Sequence, residues 1–130
     1  MVNFLGYALC GKSQIVQFKY MKDGVGDDLN VKIIVNRDGK FKDLSVGTAL
    51  YVLLENQKTI EVYDRSTLNY NRSIHINQFI KNGRSNDSIK ITSMITVNAG
   101  GVNLWLGTSH GEIIIIPDRL LQSKNHKSVR

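Results

Sequence analysis

Residues 49–64, ALYVLLENQKTIEVYD, lie over residues 103–118, NLWLGTSHGEIIIIPD, without a gap. Leu50 falls on Leu104, Tyr51 on Trp105, Val52 on Leu106, Ile60 on Ile114, Val62 on Ile116 and Asp64 on Asp118. A weaker third copy, FLGYALCGKSQIVQFKY at residues 4–20, puts Leu5 on Leu50 and Ile15 on Ile60. Internal repetition restricts a chain to stacked copies of one supersecondary unit. Each copy here is two short apolar runs joined by a polar knot, the pattern of a hairpin.

The rest of the chain follows suit. Its apolar runs are short, rich in Val, Ile, Leu and Tyr, and separated by polar breaks. That pattern predicts an all-β protein. Strands are expected over 3–9, 14–20, 30–35, 42–46, 50–55, 59–64, 70–77, 89–97, 102–108 and 112–116. Asp38-Gly39 marks a turn. Residues 21–28 and 78–88 read as loops, the second with a helical turn at its start, and the tail as helical or frayed.

Leu104, Trp105 and Leu106 point alternately to opposite faces of a strand, yet all are apolar. Tyr51 to Leu54 and Ile113 to Ile116 are the same. Such strands need cover on both sides. A parallel α/β sheet provides it through crossover helices of a dozen residues. The links at 56–58 and 107–111 are too short for that. Middle strands of a β-propeller blade also have cover on both sides. Four strands in a repeat of about 45–54 residues is blade spacing. The expectation is therefore β-propeller blades of four antiparallel strands in an incomplete propeller. The blade pieces are about 1–35, 41–77 and 89–118, with a tail over 119–130. A closed propeller has four to eight blades. The chain thus reads as a piece that needs the remaining blades of a larger chain, or self-association, to cover its apolar faces.

The knot Gly107-Thr108-Ser109-His110-Gly111 decides between chemistry and architecture. A phosphate loop needs a lysine and a helix after its glycines. Here the knot leads into IIIIP, a strand. Gly107 and Gly111 are expected to bracket a tight turn, with Thr108 or Ser109 bonding the nearby backbone. Leu104, Trp105 and Tyr51 are expected to pack in blades, as is Tyr63.

The sequence carries no other spacing that calls for chemistry. His75, His110 and His126 are isolated, and Cys10 is distant from all three, so no zinc spacing exists. A lone cysteine forms no internal disulfide, and its apolar surroundings suggest a buried thiol. No cofactor and no metal are called for. Asp64 and Asp118 recur just past a strand, which suggests turn or capping roles. Lys and Arg number 17 against 11 acids, a net charge of +6, but the charges are dispersed. Dispersal argues against a nucleic-acid arm. Lys81, Arg84 and Lys90 flank the 78–88 loop and suit an acidic protein partner. No secretory leader is visible and no apolar run reaches membrane-spanning length, so a cytoplasmic setting is expected.

The segment RSIHINQFIKNGRSNDSIKITSMITVNAGGVNLWLGTSHGEIIIIP resembles the carboxy-terminal WD40-like propeller of two signalling groups. These are the JNK-interacting scaffold proteins and the propeller-bearing Rho guanine-nucleotide exchange factors. The residues carrying the resemblance are Ile74-His75-Ile76, Ile89 to Ile95, Leu104 to Thr108, Gly111 and Pro117. It extends over about residues 45–122, and His75 stands where the family has an acidic or small residue. The resemblance implies a non-catalytic platform for protein partners. Two rival classes remain. One is a basic β domain binding nucleic acid or acidic lipid. The other is an enzyme built on a propeller with an axial acidic site.

Overall fold

The computed structural model describes residues 2–11, 13–22, 27–35, 40–80, 89–98 and 100–122. It is all-β, with ten strands in three antiparallel sheets among the described residues. The chain forms two compact units, Met1–Phe41 and Lys42–Arg130. The expected turn at Asp38-Gly39, the loop positions 81–88 and the tail from 123 lie outside the described residues.

The first unit holds one sheet in the order β1 (Val2–Cys10), β2 (Gln14–Lys22), β3 (Asp27–Val35). Its strands run further than their apolar residues. Met21 pairs with Asp28 and Lys22 with Asp27, positions expected to be loop. A backbone ladder needs only N–H and C=O groups, so pairing continues past the apolar stretch. Cys10 closes the β1–β2 hairpin opposite Gln14 and is exposed, not buried. Its place at the hairpin end, beside Gly11, keeps it off the covered part of the strand.

The second unit begins with the sheet β4 (Phe41–Val46), β5 (Leu50–Leu54), β6 (Thr59–Tyr63), β7 (Tyr70–His75), whose first residue belongs to the other unit. A 3₁₀ turn over Ile76–Phe79 follows. The third sheet is β8 (Ile91–Asn98), β9 (Val102–Thr108), β10 (Ile113–Ile116), in the order β10-β9-β8. Among the described residues no fourth strand follows β10. Pro117, which has no N–H to give a ladder, passes into the short helix α1 (Asp118–Gln122).

The way these two sheets stack identifies the architecture. Directly paired residues share a face. Tyr51 pairs with Val62, Leu53 with Ile60, and Ile60 with Ile74. This face of the second sheet joins Met94, Leu104, Leu106, Ile114 and Ile116 of the third in one buried core. Yet Leu104 and Leu106 are the repeat counterparts of Leu50 and Val52, which lie on the other face of β5. The sheets therefore meet through opposite faces. That is how consecutive propeller blades stack. A two-fold sandwich would use the same face twice.

Leu50 and Val52 are themselves fully buried, so β5 is covered on both sides. The strand β10 is different. Ile114 and Ile116 are buried, whereas Ile113 and Ile115 are 63% and 48% exposed. The expectation of cover on both faces thus holds for β5 and fails for the outer face of the third sheet.

Candidate functional site

The second and third sheets present their loops at two ends. At one end lie the β4–β5 turn at 47–49, the β6–β7 turn at 64–69 and the β8–β9 turn after Asn98. Together they shape a groove of about 580 Å³ lined by Val46, Gly47, Thr48, Arg65, Thr96, Asn98 and Val102. The two turns across the groove are counterparts in adjacent sheets.

Each wall is fixed by its own chemistry. Thr96 Oγ1 donates to the Val46 carbonyl at 3.0 Å and joins the two sheets. Arg65 Nη1 donates to the Gly47 carbonyl at 2.5 Å. Gly47 is needed for space. A Cβ there would lie 2.7 Å from Val102 Cγ1 and 3.3 Å from the Tyr51 ring. The Tyr51 hydroxyl is 3.3 Å from Thr48 Oγ1, so this core tyrosine reaches the groove with its polar tip. Asp64 shapes the turn that carries Arg65, its Oδ1 accepting from the Ser66 and Thr67 amides at 2.8 and 2.9 Å. Asp118 serves differently. It opens α1, and its amide donates to Asn103 Oδ1 at 3.0 Å.

Arg72 anchors α1 near this end, donating to the Leu120 carbonyl. Burial lowers its guanidinium pKa, opposed by Tyr51 and Tyr70. Its Nε is buried without a partner, as is the indole N–H of Trp105.

The opposite end holds the knot. Thr108 N–H donates to the Glu112 carbonyl at 2.9 Å, and Gly111 N–H to the Thr108 carbonyl at 3.1 Å. Gly111 is left-handed at φ 79°. Thr108 Oγ1 accepts from the His110 and Glu112 amides, both at 3.2 Å. This is a three-residue hairpin loop. Gly107 lies within β9, paired with Ile113, and its φ is not positive. What it requires is room, because a Cβ would lie 2.7 Å from Ser93 Oγ. Leu104 and Tyr51 are buried, while Trp105 is half-buried on the outer face of the third sheet.

Lys90 is exposed at this end. Its amide donates to Ser109 Oγ at 3.0 Å, and its carbonyl accepts from the Ser109 amide at 2.8 Å. Lys81 and Arg84 lie outside the described residues. A second groove of about 320 Å³ lies nearby, lined by Phe79, Ile80, Ile89, Thr108, Glu112, Ile113 and Ile114. The larger groove is not foreseeable from sequence, since its lining comes from four separate turns and strand ends.

The described residues lining the larger groove offer two hydroxyls, an amide and a guanidinium, with no carboxylate, imidazole or thiol to act as a general base. No group of three His, Cys, Asp or Glu among the described residues is placed to hold a metal ion. No helix among them is long and apolar enough to cross a membrane.

The family description "LRRK2 beta propeller" matches residues 7–126. The chain belongs to the LRRK2 beta propeller family. The match begins within β1 and so reaches the first sheet, which the resemblance over about residues 45–122 does not cover. It supports a propeller and does not single out the JNK-interacting or Rho exchange-factor branch. No curated protein and no solved structure matches the chain.

Proposed function

We propose that the chain is a non-catalytic protein-interaction platform, a set of propeller blades that holds partner proteins through its turns. The observation that carries this is the groove of about 580 Å³ built from counterpart turns of adjacent sheets. Thr48, Thr96 and Asn98 offer donors and acceptors along it, Arg65 adds positive charge, and Val46 and Val102 supply apolar floor. That combination suits an extended peptide segment bearing an acidic residue. The resemblance of residues 45–122 to propellers of signalling scaffolds and Rho exchange factors supports a cytoplasmic signalling role of the same kind.

Asn98→Trp tests the reading by filling the groove from an exposed position at the end of β8. Cross-linking capture of partner proteins should fall at least tenfold while the melting temperature stays within a few degrees. Undiminished capture contradicts the proposal. The basic trio is a second contact for an acidic partner. Charge reversal of Lys81, Arg84 and Lys90 should weaken capture and make the residual binding less salt-sensitive. Salt-steep retention on heparin that is lost with the trio, with protein capture unchanged, would favour the nucleic-acid or acidic-lipid reading instead.

A further inference from the structure

The outer face of the third sheet is apolar and open. Ile115, Trp105 and Ile95 form one row across its three strands, with Ile113 beside them. Ile95 is 58% exposed, and Ile113 and Ile115 are similarly open. The counterpart face of the second sheet is the one that the third sheet covers. The open face is therefore a receiving face still to be covered.

The first sheet carries the opposite half of such a contact. Cys10 and Gln14 close a three-residue loop, as Thr108 and Glu112 do. Laid on the other by its turn, one residue off the register that put Leu5 on Leu50, the first hairpin places Ala8 on Leu106, Val16 on Ile114 and Phe18 on Ile116. Leu106, Ile114 and Ile116 are the residues with which the third sheet covers the second. In the first sheet this covering face is continued by Val31 beside Phe18 and Ile33 beside Val16. Val31 and Ile33 are 59% and 53% exposed.

We propose that the receiving face of the third sheet, at Ile95, Trp105, Ile113 and Ile115, docks the covering face of the first sheet of a second copy of this chain. The inference rests on reading the sheets as propeller blades. A single sequence supplies both halves, so a second copy completes the contact with no additional partner. The contact is head-to-tail, the kind that repeats until its rotation closes a ring. Contiguous exposed apolar faces mark association surfaces.

Complementation of variants in sedimentation tests it. The 130-residue chain should associate as its concentration rises into the tens of micromolar. Ile113→Lys with Ile115→Lys spoils the receiving face, and Val31→Lys with Ile33→Lys spoils the covering face. Each double variant should sediment as a monomer with an unchanged far-ultraviolet spectrum. An equal mixture should recover a dimer, because each variant retains the half that the other lacks. A mixture that stays monomeric, or variants that associate like the parent, overturns the proposal. A readout without variants is Trp105, the chain's one tryptophan. Its emission should move to shorter wavelength as the chain associates, and emission that stays fixed across the same range overturns the proposal. Asn98→Trp capture reads the turn groove separately, so either idea can fail without the other.

Discussion

Gln57 and Gly111 hold the same place in two hairpins, and both have left-handed backbone, at φ 65° and 79°. The gapless repeat lays one on the other. Both amides close the same kind of turn, Gln57 N–H onto the Leu54 carbonyl at 2.9 Å and Gly111 N–H onto the Thr108 carbonyl. The hairpins then part by one residue. Lys58 is extra in the first, where Asn56 Oδ1 gathers the Lys58 and Thr59 amides at 2.8 and 3.1 Å. That single residue changes which side chains of β6 and β10 share a face with their partners. It explains how a gapless repeat still stacks through opposite faces.

The left-handed position costs differently in the two turns. A Cβ added at Gly111 would have nothing within 4 Å, so Gly111→Ala meets only backbone strain. Urea unfolding should show a loss of about 1–2 kcal/mol. Gln57→Gly relieves similar strain but removes the acceptor of the Ile91 amide, 2.6 Å from Gln57 Oε1. Leaving that donor unsatisfied costs about 1–3 kcal/mol. The net expectation is a loss, and a stabilised Gln57→Gly variant would contradict it.

Gly47 and Gly107 separate clash from tolerance. A Cβ at either would lie 2.7 Å from a neighbour. At Gly107 the neighbour is Ser93 Oγ, which one rotation moves away. At Gly47 it is Val102 Cγ1, on a stiff β-branched side chain, with the Tyr51 ring behind. Gly47→Ala should cost about 1–3 kcal/mol. Gly107→Ala should cost clearly less in the same denaturant series, and the reverse ranking would contradict this packing.

Arg72 is the tie between β7 and α1. Arg72→Ala removes the donor to the Leu120 carbonyl, a charge-assisted bond worth about 1.5–3 kcal/mol. Hydrogen exchange at the Leu120 and Leu121 amides, both of which donate to the Pro117 carbonyl, should quicken selectively. Unchanged exchange there would show that Leu121, buried in the core, holds the helix by itself.

Much of the fold is legible in the sequence because its strands are short and their apolar residues are not shared with helices. Every expected strand has a counterpart, and the repeat carries the stacking logic through Leu50 and Leu104. Strand ends are less legible. Met21, Lys22, Asp27 and Asp28 pair through backbone groups that the side chains do not announce. The neighbours of Cys10 suggest burial, but burial depends on distance from the hairpin tip. The neighbours of Trp105 suggest core, while its exposure depends on what lies beyond the third sheet. The larger groove is not legible at all. Val46, Arg65, Thr96 and Val102 are far apart in sequence and meet only after two sheets have stacked.

Methyl contacts in solution test the stacking of the second and third sheets most directly. Isoleucine-labelled protein should show cross-peaks from the Ile114 and Ile116 methyls to Ile60 and Ile74. The Ile113 and Ile115 methyls should show none to those residues. Contacts from Ile113 and Ile115 to Ile60 or Ile74 would mean that the sheets meet through the wrong faces, and the blade-upon-blade architecture would not stand.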